Sequence, residues 1–425
     1  MKLSYYNIKA KQQASLTKYL LMLIGTFVLL PFNIKGFLVI LFLVFSFYNI
    51  YNNNRANPIN SILINATLYI TYLFSLLYTE NFKAGFGLLE TTLSLLVLPI
   101  GFLFISTNEV ISTQIISGKK TFLKSFFYSC TILSLLILVC AVSYFDSNDS
   151  KILINPFLTF LDTNFFWMSD HPIYLSLAIA LSMLMLPDLI RNKQKTYKII
   201  ILVCFLFQLV AVIIMSRKGI LISFIFVFCT RVILESRFSI KSILYTISFI
   251  GIIGIVIVQI SADTLKRFRE VVDPKSYERV EDFSSTSIRY YIYDCSLSVS
   301  KKSLLFGYGI GDVKAELKDC YKQLSTTLYI GNYNSHNQYL GVLLYSGLFG
   351  LIIFLFSLGF NFRLFFLQND YFSLSIILLF MLTMFFENIL DRQNGVILYS
   401  FFINYLAFIN ISKNNEKSIT NRTNT

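Results

Sequence analysis

The chain has 425 residues, of which 55% are hydrophobic and 14% charged; its mean hydropathy is +0.65 and its formal net charge +13. A soluble chain carries roughly 25% charged residues, and 43 Phe with 26 Tyr supply more apolar surface than one water-soluble core would hide. Secreted disulfide scaffolds, disordered chains and nucleic-acid binders are therefore disfavoured. The composition reads as a polytopic membrane protein whose positive charge is first a matter of topology.

A helix needs about 20 mostly apolar residues to cross a bilayer. Twelve stretches qualify: 16–32, 34–51, 62–79, 85–105, 122–144, 172–190, 197–215, 218–235, 240–261, 337–359, 371–389 and 394–411. The second and eighth are short. The first runs through Pro31 and Lys35 into the second with no small-residue cleavage site, so it is expected to be a retained helix. An even number of spans puts both termini on one side. With that side cytoplasmic, the cytoplasmic segments hold 19 Lys and Arg, while the short external loops hold six: Lys35, Lys83, Lys151, Arg217, Lys218 and Arg392. The other eleven lie in one long external segment, to which the short-loop rule does not apply. The expected fold is an all-α bundle of about twelve transmembrane helices. Residues 1–261 carry nine of them, 262–336 form an external loop or cap, 337–411 carry the last three, and 412–425 form a polar, disordered cytoplasmic tail.

Two external segments stand out. The segment 145–171 is acidic and ends with Trp167, Asp170 and His171. The segment 262–336 is far longer than a connector requires. Its first part (LKRFREVVDPKSYERVEDF) mixes charges and aromatics, Ser287 to Ser300 has the spacing of an amphipathic helix, and Phe306 to Gly311 is a glycine-rich turn, which together predict a small helical cap. Cys130, Cys140, Cys204 and Cys229 fall in spans as packing residues. Cys295 and Cys320 share the long loop, where an oxidising compartment would permit a bridge that spacing alone does not decide.

Few residues are candidates for chemistry. Arg217, in Met215-Ser216-Arg217-Lys218-Gly219, lies in a tight external turn; it reads either as a snorkelling cation or as an anion-binding group. Arg289, in Ser284-Ser285-Thr286-Ser287-Ile288-Arg289-Tyr290, reads alone as a solvated cation. His336, in Asn334-Ser335-His336-Asn337-Gln338, is one of only two histidines and stands where the long loop re-enters the membrane. It is a candidate base or a helix-capping group, and His171, before the sixth span, has the same two readings. Glu90, inside the fourth span, is an intramembrane carboxylate expected to hydrogen-bond a neighbouring helix. Two histidines and no Cys-x-x-Cys leave no convincing zinc site, and no nucleotide fingerprint is present.

In combination these segments resemble the O-antigen ligase/O-antigen polymerase superfamily of integral-membrane glycosyltransferases. Ser216-Arg217-Lys218-Gly219 resembles the family's Ser-Arg-Gly turn between two central spans. The run from Ser287 through Arg289 to Gly307-Tyr308-Gly309-Ile310-Gly311 is similar to its Arg-bearing helix and following GxGxG turn. Ser335-His336-Asn337-Gln338-Tyr339-Leu340, with Gly347 and Gly350, resembles its His-Asn-x-x-Leu entry to the next span. The likeness covers roughly 200–360. Many relatives carry an acidic residue soon after that entry, where this chain has Gly341; Asp391 or Glu387, at the external end of the eleventh span, are the candidates to substitute.

The resemblance implies an enzyme of the bacterial inner membrane, with both termini cytoplasmic and its site on the periplasmic face. Its donor would be an undecaprenyl-diphosphate-linked glycan and its acceptor a sugar hydroxyl of lipid A-core or of another glycan, with no cofactor, metal or nucleotide. Arg217 and Arg289, helped by Lys218, would hold the diphosphate through charge-assisted bonds. His336 would accept the acceptor's proton, as an imidazole is largely neutral at pH 7. A ligase acting on a lipid-linked polysaccharide is favoured over a repeat-unit polymerase. A transporter of lipid-linked sugar is disfavoured, because no six-plus-six repeat is visible and the polar candidates gather at one face.

Overall fold

The computed structural model describes residues 2–50, 59–147, 157, 160–161, 171–260, 269–270, 272–278, 280 and 284–423. Among them there are helices and no strands. In chain order the α-helices are α1 (Lys2–Gly25), α2 (Phe32–Ile50), α3 (Thr67–Ser75), α4 (Phe82–Thr92), α5 (Ser94–Ser106), α6 (Glu109–Ser117) and α7 (Lys119–Ser147). There follow α8 (Pro172–Met183), α9 (Leu186–Ile190), α10 (Lys195–Met215), α11 (Lys218–Glu235) and α12 (Ile240–Ile260). The long segment before α16 holds α13 (Ser285–Lys302), α14 (Val313–Leu324) and α15 (Thr326–Gly331), and the last helices are α16 (Gln338–Leu367), α17 (Tyr371–Thr383) and α18 (Gln393–Thr423).

Each of the twelve predicted stretches contains helix. Seven helical segments among the described residues are long and apolar enough to cross a membrane: Asn60–Tyr78, Phe82–Ser106, Lys119–Tyr144, Pro172–Ile190, Lys195–Met215, Gln338–Leu367 and Gln393–Asn415. Ile34–Tyr48 and Tyr371–Thr383 are shorter apolar helices. The chain is thus an all-helical, multi-pass membrane protein. Helices dominate because a bilayer offers no water to backbone amides, so each segment satisfies its own hydrogen bonds.

Three expectations change. The eleventh stretch, predicted over 371–389, ends as helix at Thr383; the chain then leads into a short 3-10 turn, Ile389–Asp391. The polar tail after Ile411, expected to be disordered, continues α18 to Thr423. Glu90 is exposed, and no hydrogen bond joins it to a neighbouring helix among the described residues. The acidic segment that includes Trp167 and Asp170 falls almost wholly outside the described residues, as does part of the basic run after Ile260.

The core is built by α1 on α7, α2 on α5, α7 on α10, α11 on α17, and α18 on α5. Aromatic rings fill it: Phe122 meets Phe401, Phe402 and Tyr405 with centroids 5.2–5.5 Å apart, within the range of favourable ring pairs. Cys130, Cys140 and Cys229 are buried and Cys204 half-buried, all as free thiols. The segment that holds α13 to α15 is fastened in two ways. Cys295 and Cys320 form a disulfide, which ties α13 to α14. The glycine turn docks backbone to backbone against a kink in α16: the amides of Tyr308 and Gly309 donate to the carbonyls of Leu344 and Tyr345 at 2.8 and 3.0 Å. The kink is at Gly347, whose φ of 65° and 2.2 Å clearance from Leu305 O to a built Cβ leave room only for glycine.

Candidate functional site

The site forms where α11, α13 and α16 begin and where the segment 384–392 crosses between α17 and α18. Ser216 ends α10 in the left-handed region (φ 49°), and Arg217 follows as the N-cap residue of α11 without capping it through its side chain. Gly219, one turn on, lies under Phe386; a Cβ there would come within 2.6 Å of that side chain. The small residue therefore lets the arginine turn approach the crossing segment. Ser284 caps α13 by accepting from the Ser287 amide at 3.2 Å, which sets Arg289 in the second turn of that helix.

His336 immediately precedes the cap of α16. Asn337, not the histidine, caps that helix, its Oδ1 accepting from the amides of Tyr339 and Leu340 at 3.0 and 3.1 Å. His336 itself sits at φ 43°, a left-handed conformation that costs a non-glycine residue free energy. Its amide donates to Asn334 Oδ1 at 3.2 Å, and its carbonyl accepts from Tyr293 of α13 at 3.2 Å. Strained backbone of this kind persists only where the surroundings over-determine it. Here the crossing segment supplies those surroundings: Asn388 Oδ1 accepts from the Asn337 amide at 2.8 Å, and Gln338 Oε1 accepts from the Leu390 amide at 2.7 Å.

Glu387 is the junction of the site. His336 Nδ1 lies 3.1 Å from both of its carboxylate oxygens, and Arg289 Nη2 lies 3.9 Å from Oε2. Burial pushes the Glu387 carboxyl up, but the hydrogen bond and charge of His336 and the charge of Arg289 outweigh it and hold the group below the usual carboxylate range. Glu387 is therefore an acceptor only. With a carboxylate facing it, Nδ1 carries the ring proton in the neutral imidazole, which leaves the Nε2 lone pair available.

Of the two carboxylates considered for the histidine, Asp391 is bound elsewhere. Its Oδ2 accepts from Tyr345 at 2.9 Å, Asn388 at 3.0 Å and Asn334 at 3.4 Å. Burial pushes its carboxyl up to about 6, with the charge of Glu387 adding to the effect. Position 341 explains itself in the same region: a Cβ on Gly341 would come within 2.5 Å of Asn388 Nδ2. A side chain there would have to displace the Asn388 amide, and in this chain the carboxylate beside the histidine comes from the crossing segment.

The site residues line two adjoining spaces. Arg217, Lys218, Arg289 and Glu387 line a cleft of about 440 Å³. Glu387, His336, His171 and Asp391 line a chamber of about 1430 Å³, which also reaches Lys314 on α14. The two histidines thus share one chamber, which nothing in their separate positions foretold. Burial first, and then the charges of Arg217 and Arg392, push His171 down to about 4, so it is neutral at pH 7. Lys218 is already engaged, with Glu270 Oε2 at 3.8 Å and Thr286 Oγ1 at 3.3 Å. Sequence reasoning gave no part to Tyr293, Asn388 or Arg392; their signal is proximity to the histidine loop, which becomes visible only in three dimensions. Among the described residues no cluster of His, Cys, Asp and Glu has the makings of a metal site.

The comparisons agree with this geometry. No curated protein matches the chain. Residues 200–355, which span the arginine turn, the Arg289 helix, the glycine turn and the His336 entry, match the family model described as O-antigen ligase, which supports the resemblance to that superfamily.

Proposed function

We propose that the protein is an O-antigen ligase-like glycosyltransferase, moving a glycan from undecaprenyl diphosphate onto a sugar hydroxyl of lipid A-core at the periplasmic face of the inner membrane, with twelve spans and both termini cytoplasmic. The observation that carries the reading is the Arg289–Glu387–His336 chain of contacts, which joins a cationic cleft to a large polar chamber through one carboxylate. Arg217 and Arg289 hold the diphosphate in the cleft, and Lys218 adds charge at its rim. The acceptor sugar lies in the chamber with its hydroxyl at His336 Nε2.

In the reaction the acceptor oxygen forms a bond to the anomeric carbon while the bond from that carbon to the diphosphate oxygen breaks. His336 Nε2 takes the hydroxyl proton, and the electron pair leaves on the diphosphate, where the two guanidinium groups meet the added charge. Glu387 orients the ring through Nδ1 and stabilises the imidazolium that forms. Attack from the face opposite the diphosphate inverts the anomeric centre.

The test is transfer by purified protein given lipid-linked donor and core acceptor. His336→Ala should slow transfer by about two to four orders of magnitude while undecaprenyl diphosphate still binds, whereas Arg217→Ala and Arg289→Ala should weaken that binding too. Normal transfer by His336→Ala protein would falsify the base assignment. In a deletion strain, bare core with accumulated lipid-linked polymer marks a ligase, and core carrying one repeat marks a polymerase.

A further inference from the structure

A third space adjoins the chamber on the side away from the arginine cleft. It has a volume of about 710 Å³ and is lined by Glu90, Thr91, Asp391, Arg392 and Gln393. The cleft shares Glu387 with the chamber, and the chamber shares Asp391 and Arg392 with the third space. Three spaces therefore stand in series, with His336 lining the middle one. The reaction proposed above needs two substrates to meet at that histidine, and the donor occupies only the first space.

The charges along this path are unequally matched. Glu387 is met by His336 and Arg289. Asp391 takes its hydrogen bonds on Oδ2, while Oδ1 is enclosed with no partner. His171 Nδ1 is likewise enclosed without a partner. Arg392 and Lys314 are exposed and line the chamber, and among the described residues neither makes an ion pair, with Glu90 or with any other carboxylate. A guanidinium left without a carboxylate keeps its planar fork of donors for a ligand, and a carboxylate or phosphate matches that fork in two parallel bonds.

We propose that Arg392, supported by Lys314, forms an acceptor-recognition subsite for a sugar carrying an anionic substituent, a carboxylate or a phosphate monoester, which enters from the Glu90 side of the bundle. The proposal rests on the glycosyl-transfer reading and adds to it the chemical class of the acceptor. The anionic group sits on Arg392, and the reacting hydroxyl extends to His336. Such an arrangement selects the acceptor at a point separate from the diphosphate cleft, so the two substrates do not compete for the same cations.

The test is direct binding to full-length protein in lipid nanodiscs, which needs no turnover. Three soluble trisaccharides serve as probes: one neutral, one ending in a uronic acid, and one bearing a phosphate monoester. At least one charged probe should bind roughly ten- to a hundredfold more tightly than the neutral one, and the tighter of the two names the anionic group. Arg392→Gln should abolish this preference, Arg392→Lys should keep part of it, and Lys314→Gln should reduce it less. Undecaprenyl diphosphate should bind Arg392→Gln protein as it binds the unaltered chain, which also certifies that the variant is folded. Equal binding of all three probes, or a preference that survives Arg392→Gln, overturns the proposal. Failure of the glycosyl-transfer reading would appear elsewhere, as absent undecaprenyl diphosphate binding or as transfer unaffected by His336→Ala.

Discussion

Two arginine sites in this chain are built on opposite plans. Arg231, at the opposite end of α11 from the arginine turn, is saturated: Nη1 donates to the Leu184 carbonyl, Nη2 meets Asp188 at 2.5 Å and Nε meets Glu235 at 2.8 Å, with only 1% of the side chain exposed. Arg289 at the external site has a single ion pair, at 3.9 Å, and 28% of its side chain is exposed. Two acceptor side chains and a carbonyl complete the first arginine; one shared carboxylate leaves the second with donors to spare. A cation that holds a fold together is finished by the protein, and the one proposed to meet the diphosphate is left unfinished.

The comparison breaks most visibly in stability. Arg231→Met strands Asp188 and leaves Glu235 only Arg191, at 3.4 Å, and should cost about 3 kcal/mol, whereas Arg289→Met should change stability by about 1 kcal/mol or less while weakening undecaprenyl diphosphate binding. Thermal unfolding of both variants in the same nanodiscs reads the difference; equal losses would erase the distinction. Next in size is Glu387→Gln. It keeps the shape but removes the charge that orients His336 and faces Arg289, so transfer should fall by about ten- to a hundredfold, with donor affinity unchanged or increased. An unaltered transfer rate would detach Glu387 from the chemistry.

Asp391→Asn sharpens the comparison through pH. The folded carboxyl titrates at about 6, above the unfolded value near 3.9. Between those values the folded state binds the extra proton, so stability from this group falls as pH rises from about 4 to 6 and is level above. The amide keeps an acceptor for Tyr345 and carries no charge. After discounting for partial exposure of the side chain, the variant should gain about 1 kcal/mol at pH 7.5 and lose that acid-range slope; a slope that persists in chemical unfolding would assign it to another group. The smallest effect is expected from Lys218→Gln. Its ammonium is already shared between Glu270 and Thr286, so undecaprenyl diphosphate affinity should drop by only about threefold, well short of either arginine variant in the same titration.

Much of the fold was legible because hydropathy is local. The helical stretches, the cap helix from Ser285 and the glycine turn all follow from short-range pattern. One error sits where a helix stops for a tertiary reason. The run 371–389 is apolar enough to continue, yet beyond Thr383 its backbone turns to meet the α16 entry, where the Gln338 amide donates to the Met384 carbonyl at 2.8 Å. The site was legible in its parts: Arg217, Arg289 and His336 stand in motifs. Their mutual geometry was not, since Glu387 lies 51 positions from the histidine it contacts and the two histidines line one chamber from distant segments.

The amino-acid pattern alone makes this chain a helical membrane protein and singles out a few cations and histidines as candidates for chemistry. Those properties are imposed residue by residue, by the cost of leaving backbone amides and charges in lipid. Which carboxylate contacts His336, what packs against Gly341, that Cys295 and Cys320 meet, and that three spaces share lining residues emerge only from the fold. Such pairings depend on which helices become neighbours, and that outcome is fixed by packing over the whole bundle rather than by any local period of the chain.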